Sequence, residues 1–560
     1  MLDMNNLKKT LLAGFVLLAY TDILNNRSYD LVGVDKGYTN LKGYHYDKDK
    51  DMYDEVFSYK HEQKIHLVIP ADFNGSGIVS YVLVTRKNDG TFDNHIYFRD
   101  RDETKHIGES LATPLLFTCP DDLRPQLLIQ YSDGLKKVRI SEDGELKTED
   151  VDDYGRLHNE HTSAFVELDG SMKACLCLVI DNGNGKKSLR VFNNKDGEYV
   201  RYFEMDLPDE IGPIVFGDFN GNGMNDMAFI QRSGTKYVLK IYFNSTSRVG
   251  NTNKLLGGFI PTQINSTVFS EGDMEIVDLS LMFPNCTPIL KSEEHFGGMP
   301  YGIFSADLRA KGKVDFFIVM KDIDGSTRVG ALENHSEPGK ALFEKAEYHD
   351  DIHKLKNVIS ISCCDYNSRG REAVFVNRVV DNEAVLEVYE NNLSKENLKL
   401  SLSAIYPRHE AYGCAIPGVS YLISYCDGEK VHISSQMAYS TYVHLKHHVA
   451  YIGLGTMNLI VDILMIGTPG SNTSPYAGPY AINSIAIPNT DLVVYLQENG
   501  NYTVEAHFIV GEHFKTIIIA LFGVAFVNLI FIVLLRLKDI RRMKMANSKD
   551  ALRPLFSTLK

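Results

Sequence analysis

Positive charge is in short supply. The 560 residues carry 58 Lys and Arg against 72 Asp and Glu, a net charge of −14, which argues against general nucleic-acid binding. Helix-period apolar stripes are scarce too. Val, Ile, Tyr and Phe alternate with polar residues through most of the chain, the period-2 pattern of half-buried strands. Cysteine is sparse, with eight residues (119, 175, 177, 286, 363, 364, 414 and 426) whose even count fixes no connectivity. Cys175 and Cys177 alternate on one strand face and read as small buried hydrophobes, while Cys414 and Cys426 flank Pro417-Gly418 and are candidates for a staple.

Catalytic signatures are also missing. His61-Glu62 and His66 approach a zincin motif, but histidines five apart do not share a helix face. Asn182 to Ser188 approaches a phosphate loop, yet Lys187 stands where Ser or Thr is required. His444, His447 and His448 read as solvated strand positions ahead of a metal cluster. With no nucleophile–base set, the chain reads as a non-enzyme.

What is present is a repeated oxygen-rich loop. In Asp218-Phe-Asn220-Gly-Asn222-Gly223-Met224-Asn-Asp226, side-chain oxygens fall at positions one, three, five and nine. Gly223 allows a sharp turn at position six, and Met224 offers a carbonyl. Ca²⁺ takes six to eight oxygens at about 2.3–2.6 Å, and this set supplies most of them. Position twelve is Phe229 within an apolar run, so the loop joins strands and is not an EF-hand. Asp72, Asn74 and Ser76 form a weaker version, with Ser80 in place of the last carboxylate. In a further copy Arg309 and Lys311 lie between Asp307 and Asp315, and are expected to neutralise both carboxylates in place of a metal. Arg369 is expected to do the same for Asp365.

Copies start near 72, 118, 167, 218, 307, 365 and 454, each followed by an apolar strand, a Gly/Asn/Asp turn and a second strand. A period near 50 residues with this content predicts an all-β fold, a seven-bladed β-propeller over residues 30–480. The repeats resemble the FG-GAP repeats of integrin α-subunits. Tyr451-Ile-Gly-Leu-Gly455, Asn458, Val461-Asp462, Ile466-Gly467 and Ile487-Pro-Asn489 further resemble the T-cell immunomodulatory protein family, single-pass membrane proteins with an FG-GAP ectodomain. That resemblance implies a cell-adhesion or cell-modulating role exerted through a protein ligand or receptor.

Residues 1–25 read as a signal peptide, because Leu11–Tyr20 is a short apolar run after Lys8-Lys9; a buried strand is the alternative. Residues 481–515 read as a membrane-proximal β segment. Residues 516–535 are uncharged and long enough to span a bilayer. The tail, 536–560, carries a net charge of +6, leaving −20 on residues 1–535 and predicting a single-pass type I topology with a cytosolic C-terminus. Sequons at Asn26, Asn244, Asn265, Asn285, Asn334, Asn392, Asn472 and Asn501 fit a secretory route, and the one at Asn74 is set aside because the cation loop uses its side chain. The expected function is a non-enzymatic surface or secretory-pathway interaction protein with structural calcium. The alternative is a polysaccharide-active or lectin-like propeller.

Overall fold

The computed structural model describes residues 11–557 apart from short stretches, of which 247–267 and 292–301 are the longest. It separates into two compact units, residues 1–508 and 509–560.

Strand formation in the first unit follows the alternation and the turn residues. Seven antiparallel sheets succeed one another along residues 11–389. The first comprises Phe15–Thr21, Asp30–Asp35, Asn40–Asp47 and Met52–Lys60; the second Ile65–Ala71, Ser80–Arg86, Phe92–Phe98 and Glu103–Ser110. The third spans Leu115 to Asp150, the fourth Ala164 to Leu207, the fifth Val215 to Asp278 and the sixth Cys286 to Lys345. The seventh uses Val358–Cys364, Ala373–Val380 and Glu383–Tyr389, and takes its fourth strand, Leu11–Ala13, from the other end of the chain.

The cores link these sheets in sequence. Val16 and Val32 of the first pack with Val68 and Leu83 of the second. One cluster containing Phe73, Phe117, Phe165 and Phe216 joins the second through fifth. Phe219 and Ile230 meet Ile318 and Met320, and Phe317 and Val329 meet Ile361 and Val376. Phe375 and Leu386 of the seventh then pack against Phe15 and Leu31 of the first. The order of packing returns to its start.

Two sequence expectations change here. The apolar run Leu11–Tyr20 is not set apart from the fold: Phe15–Thr21 is a strand buried at every position and paired with Asp30–Asp35. A strand buried on both faces has the same apolar composition as the core of a leader, so composition alone does not separate them. The copy at 454–462 also leaves the series. Ala450–Gly455 pairs with Leu398–Arg408, and Ile460–Ile466 pairs with Ser420–Tyr425, in two further sheets that also hold Thr490–Leu496 and Tyr480–Ala481. Residues 398–508 thus pack as part of the first unit, and the 481–515 segment contributes strands to it up to Phe508.

The second unit is one helix, Phe514–Ser557. Its stretch Ile518–Asn547 is long and apolar enough to cross a membrane, with mean hydropathy 3.0 in its most apolar window. Large side chains such as Phe522 and Phe531 are exposed along it.

Candidate functional site

The loop at 218–226 folds around its first carboxylate. Asp218 Oδ1 accepts the backbone N–H groups of Gly221 and Asn222 at 2.7 and 3.0 Å, and Oδ2 accepts that of Gly223 at 3.0 Å. Asn220 and Asn222 oxygens accept from the N–H groups of Asn222 and Met224. Asp226 accepts from Phe219 and Asn244, each at 2.9 Å. Gly223 has φ +77°, and an added Cβ would come within 2.8 Å of Val431, so glycine is required twice over.

The same geometry recurs. Asp72 accepts from Ser76 and Gly77, and Asp307 accepts from Lys311 and Gly312. Asn74 is buried and donates to Asp100 at 3.1 Å, while Ser76 accepts from Ile78. A copy the sequence reading missed lies at 22–30. Asp22 accepts from Asn26 and Arg27, and Asp30 at position nine accepts from Ile23. Positive φ falls at positions four and six in each loop: Asn25 and Arg27, Gly75 and Gly77, Gly170 and Met172, Gly221 and Gly223, Ala310 and Gly312. Arg27 and Met172 hold at φ +66° and +65° a conformation normally left to glycine, which is why a search for glycine passed over the first copy.

Asp72, Asp218, Asp226 and Asp315 are buried, and Asp22 and Asp307 partly so. Burial, then the neighbouring Asp218 charge, pushes the Asp226 carboxyl well above its usual range. Burial likewise lifts Asp22 and Asp307 to about 6 and Asp315 to about 8. Two facing buried carboxylates, two amide oxygens and a carbonyl are the donor set of a hard cation, and Asp218, Asn220, Asn222, Met224 and Asp226 fit one. The 307 loop differs from expectation. Arg309 turns away to Glu333 and Glu347 at 2.8 and 3.0 Å, Lys311 is exposed, and Asp315 is served by Tyr348 Oη at 2.9 Å. Internal neutralisation by Arg309 and Lys311 is therefore not observed, because Glu333, itself buried, claims the guanidinium. Arg369 lies outside the described residues; the ammonium beside Asp365 belongs to Lys399, at 3.3 Å.

Lys399 is one of several groups that residues 398–508 bring onto this loop face. His432 Nδ1 lies 3.4 Å from Asp218 Oδ2, and its ring borders Gly312. Gly455 donates to Ala310 and Gly467 to Met172. Arg27 pairs with Glu505, and Leu123 enters the core around Leu400 and Leu402. His447, expected on a solvated face, is buried and 3.2 Å from Glu372; His444 and His448 lie outside the described residues. Between these parts is a cavity of about 90 Å³ lined by Asp218, Asp307, Glu372, His432 and His447 among others.

Neighbouring sheets are tied at the same level. Asn244, Asn334, Asn391 and Arg99 donate to the carbonyls of Leu168, Phe219, Leu308 and Ile23, each at loop position two of the preceding sheet. Asn244 and Asn334 are thus buried, although both begin sequons. Glycopeptide mapping is expected to find them and Asn74 unmodified, with glycans confined to exposed sites such as Asn285 and Asn501. A glycan on Asn334 would contradict the packing. Asn265, Asn392 and Asn472 lie outside the described residues. Cys175, Cys177, Cys363 and Cys364 are buried free thiols, as the alternation of the first pair predicts, and Cys426 lies outside the described residues.

No family model matches the chain. Among solved structures it is similar to a streptogramin B lyase (10% identity, TM-score 0.33, covering 68% of this chain and 97% of that one). It is also similar to Saccharomyces cerevisiae Sqt1 (13% identity, TM-score 0.32, covering 76% and 98%). Among curated proteins it is 24% identical over 370 residues to the T-cell immunomodulatory protein homolog of Plasmodium falciparum, covering 53% of this chain and 51% of that protein. It is 25% identical over 278 residues to the homolog of Plasmodium yoelii yoelii, covering 44% and 38%. The chain thus spans about half the length or less of these relatives. Over these stretches this chain is similar to the T-cell immunomodulatory protein homologs.

Proposed function

We propose that the chain is a non-enzymatic, single-pass membrane protein of the cell surface or secretory pathway, whose β unit is a closed seven-bladed propeller that binds a protein partner. The seven sheets between residues 11 and 389 are its blades, in place of the 30–480 span drawn from sequence. Calcium stiffens the loops, held at the 218 loop by Asp218, Asn220, Asn222, Asp226 and the Met224 carbonyl. The basic residues after Leu535 favour a cytosolic C-terminus.

The observation that carries this reading is the asymmetry of the loops. Residues 398–508 cover the cation-loop face, so an outside partner has the hairpins at the opposite ends of the second strands. Those tips are open: a Cβ added at Gly90, Gly185, Gly234 or Gly325 meets nothing within 4 Å. Ile323, 80% exposed beside Asp322 and Asp324, stands at one of these tips and serves to test it.

Labelled protein spanning residues 1–510 is expected to bind intact cells saturably, and Ile323→Asp to weaken that binding without changing the melting temperature. Saturable binding to a glycan array, unaffected by Ile323→Asp, would favour the sugar-binding alternative. Calcium has its own check by calorimetry with and without a chelator. Saturation at a hundred times Kd stabilises by about 2.7 kcal/mol. That gain is expected to fall clearly in Asp218→Ala and to fall less in Asp72→Ala. Asp307→Ala should leave it unchanged, because positions three and five there offer no side-chain oxygen. An equal response in all three variants would sink the ranking.

A further inference from the structure

His61 does not pair with His66 in a zincin helix, but the fold gives it other company. The strand Phe92–Phe98 carries Asp93 and His95 two residues apart, hence on one face. The neighbouring strand Glu103–Ser110 sets His106 directly opposite His95, next to a register shift at Asn94 and His95. One ligating atom from each of Asp93, His95 and His106 lies within 4.8 Å of the other two. His106 Nε2 is 2.7 Å from Asp93 Oδ1, and the His95 and His106 ring centroids are 4.9 Å apart. His61 packs edge-on against His95, also at 4.9 Å.

Two details distinguish this patch from an ordinary polar surface. Among the described residues, His95 Nδ1 and His61 Nε2 are buried with no hydrogen-bond partner, a state that disfavours the fold until a ligand satisfies it. Behind the carboxylate, Gln63 Nε2 donates to Asp93 Oδ2 at 3.3 Å, and Thr85 donates to Gln63 at 2.9 Å. Such a relay fixes a ligating carboxylate in orientation, as outer groups do around protein-bound metals. Two imidazoles and a carboxylate suit zinc, copper or nickel and do not suit calcium. With bonds near 2.0–2.1 Å, tetrahedral ligand atoms stand about 3.3 Å apart. His106, with 56% of its side chain exposed, has room to make that closure by rotation.

We propose that Asp93, His95 and His106 form a binding site for one divalent transition-metal ion of the zinc class, separate from the oxygen loops. On binding, the ion replaces the hydrogen bond between His106 and Asp93, the neutral His106 ring keeping its proton on the nitrogen away from the metal. It then clips the outermost strand of the second sheet to its neighbour, with His61 walling the site beside His95.

Full-length protein in detergent, stripped with a chelator and returned to millimolar calcium to fill oxygen sites, is titrated with Zn²⁺ against a chelating dye. One equivalent is expected to bind. His106→Gln and Asp93→Asn should each weaken it about tenfold or more, and Asp218→Ala should leave it unchanged. Co²⁺ is expected to give the visible absorption of a four-coordinate nitrogen–oxygen site in the unsubstituted protein and to lose it in His106→Gln. Because His106 is exposed, that variant keeps the fold, which an unchanged melting temperature verifies. Absence of stoichiometric Zn²⁺ binding, or equal affinity in His106→Gln, overturns the assignment.

Discussion

Deleting residues 1–25 is expected to abolish folding of the β unit. Phe15, Val16, Leu17, Leu18, Ala19 and Tyr20 are each no more than 1% exposed. At about 1.5–3 kcal/mol for each large side chain, their burial amounts to on the order of 10 kcal/mol. That matches the whole stability of an ordinary domain. The loss goes beyond apolar area. Leu17 exchanges backbone hydrogen bonds with the Asn377 side chain, and Tyr20 Oη meets Ser362 at 2.7 Å, so the seventh sheet loses buried partners as well. A chain starting at residue 26 should be aggregated or lack cooperative melting, whereas residues 1–510 should melt cooperatively. Leu17→Asp, which keeps the chain length, should behave like the deletion. A soluble 26–510 protein with an unchanged melting temperature would restore the leader reading.

The second large effect is expected at Lys399. Its ammonium lies 3.3 Å from Asp365 and 4.1 Å from the centre of the Tyr451 ring, with side-chain exposures of 6% and 1% for the ionic partners. Removing one member of a sealed pair strands the other charge, at a typical cost of about 3–5 kcal/mol. Lys399→Met should therefore destabilise by about that much, and Asp365→Asn in the same chain should restore most of it. Chemical denaturation of the two single variants and the double closes the cycle. A double variant as unstable as the sum of the singles would show that the two groups do not act as a pair.

The contrast between these sites explains what was legible. The 218 loop could be read because all its oxygen-bearing residues lie within nine positions and its glycines are where the turn needs them. The 22 loop could not, since Leu24 stands at position three and Arg27 at position six, although Asp22 and Asp30 keep the spacing. Arg309 misled because proximity in sequence suggested a partner that Glu333, on another strand, supplies instead. Lys399 and His432 left no local signal at all, as each meets a loop more than thirty residues distant. The pairing of Asp93 and His95 with His106 depends on strand register, which a bulge shifts and which sequence alone leaves open.

The strand Leu11–Ala13 completes a sheet whose other members end at Tyr389. A ribosome adding about 5–20 residues per second needs roughly 20–75 seconds to make the intervening chain. Throughout that time an apolar segment near the amino terminus waits without its destination. Ring closure of this kind is a late, non-local step, so folding should be slow for the size of each sheet. The emerging chain should depend on chaperones holding its first strands, and the yield of native protein should respond to translation speed more than to small changes in final stability.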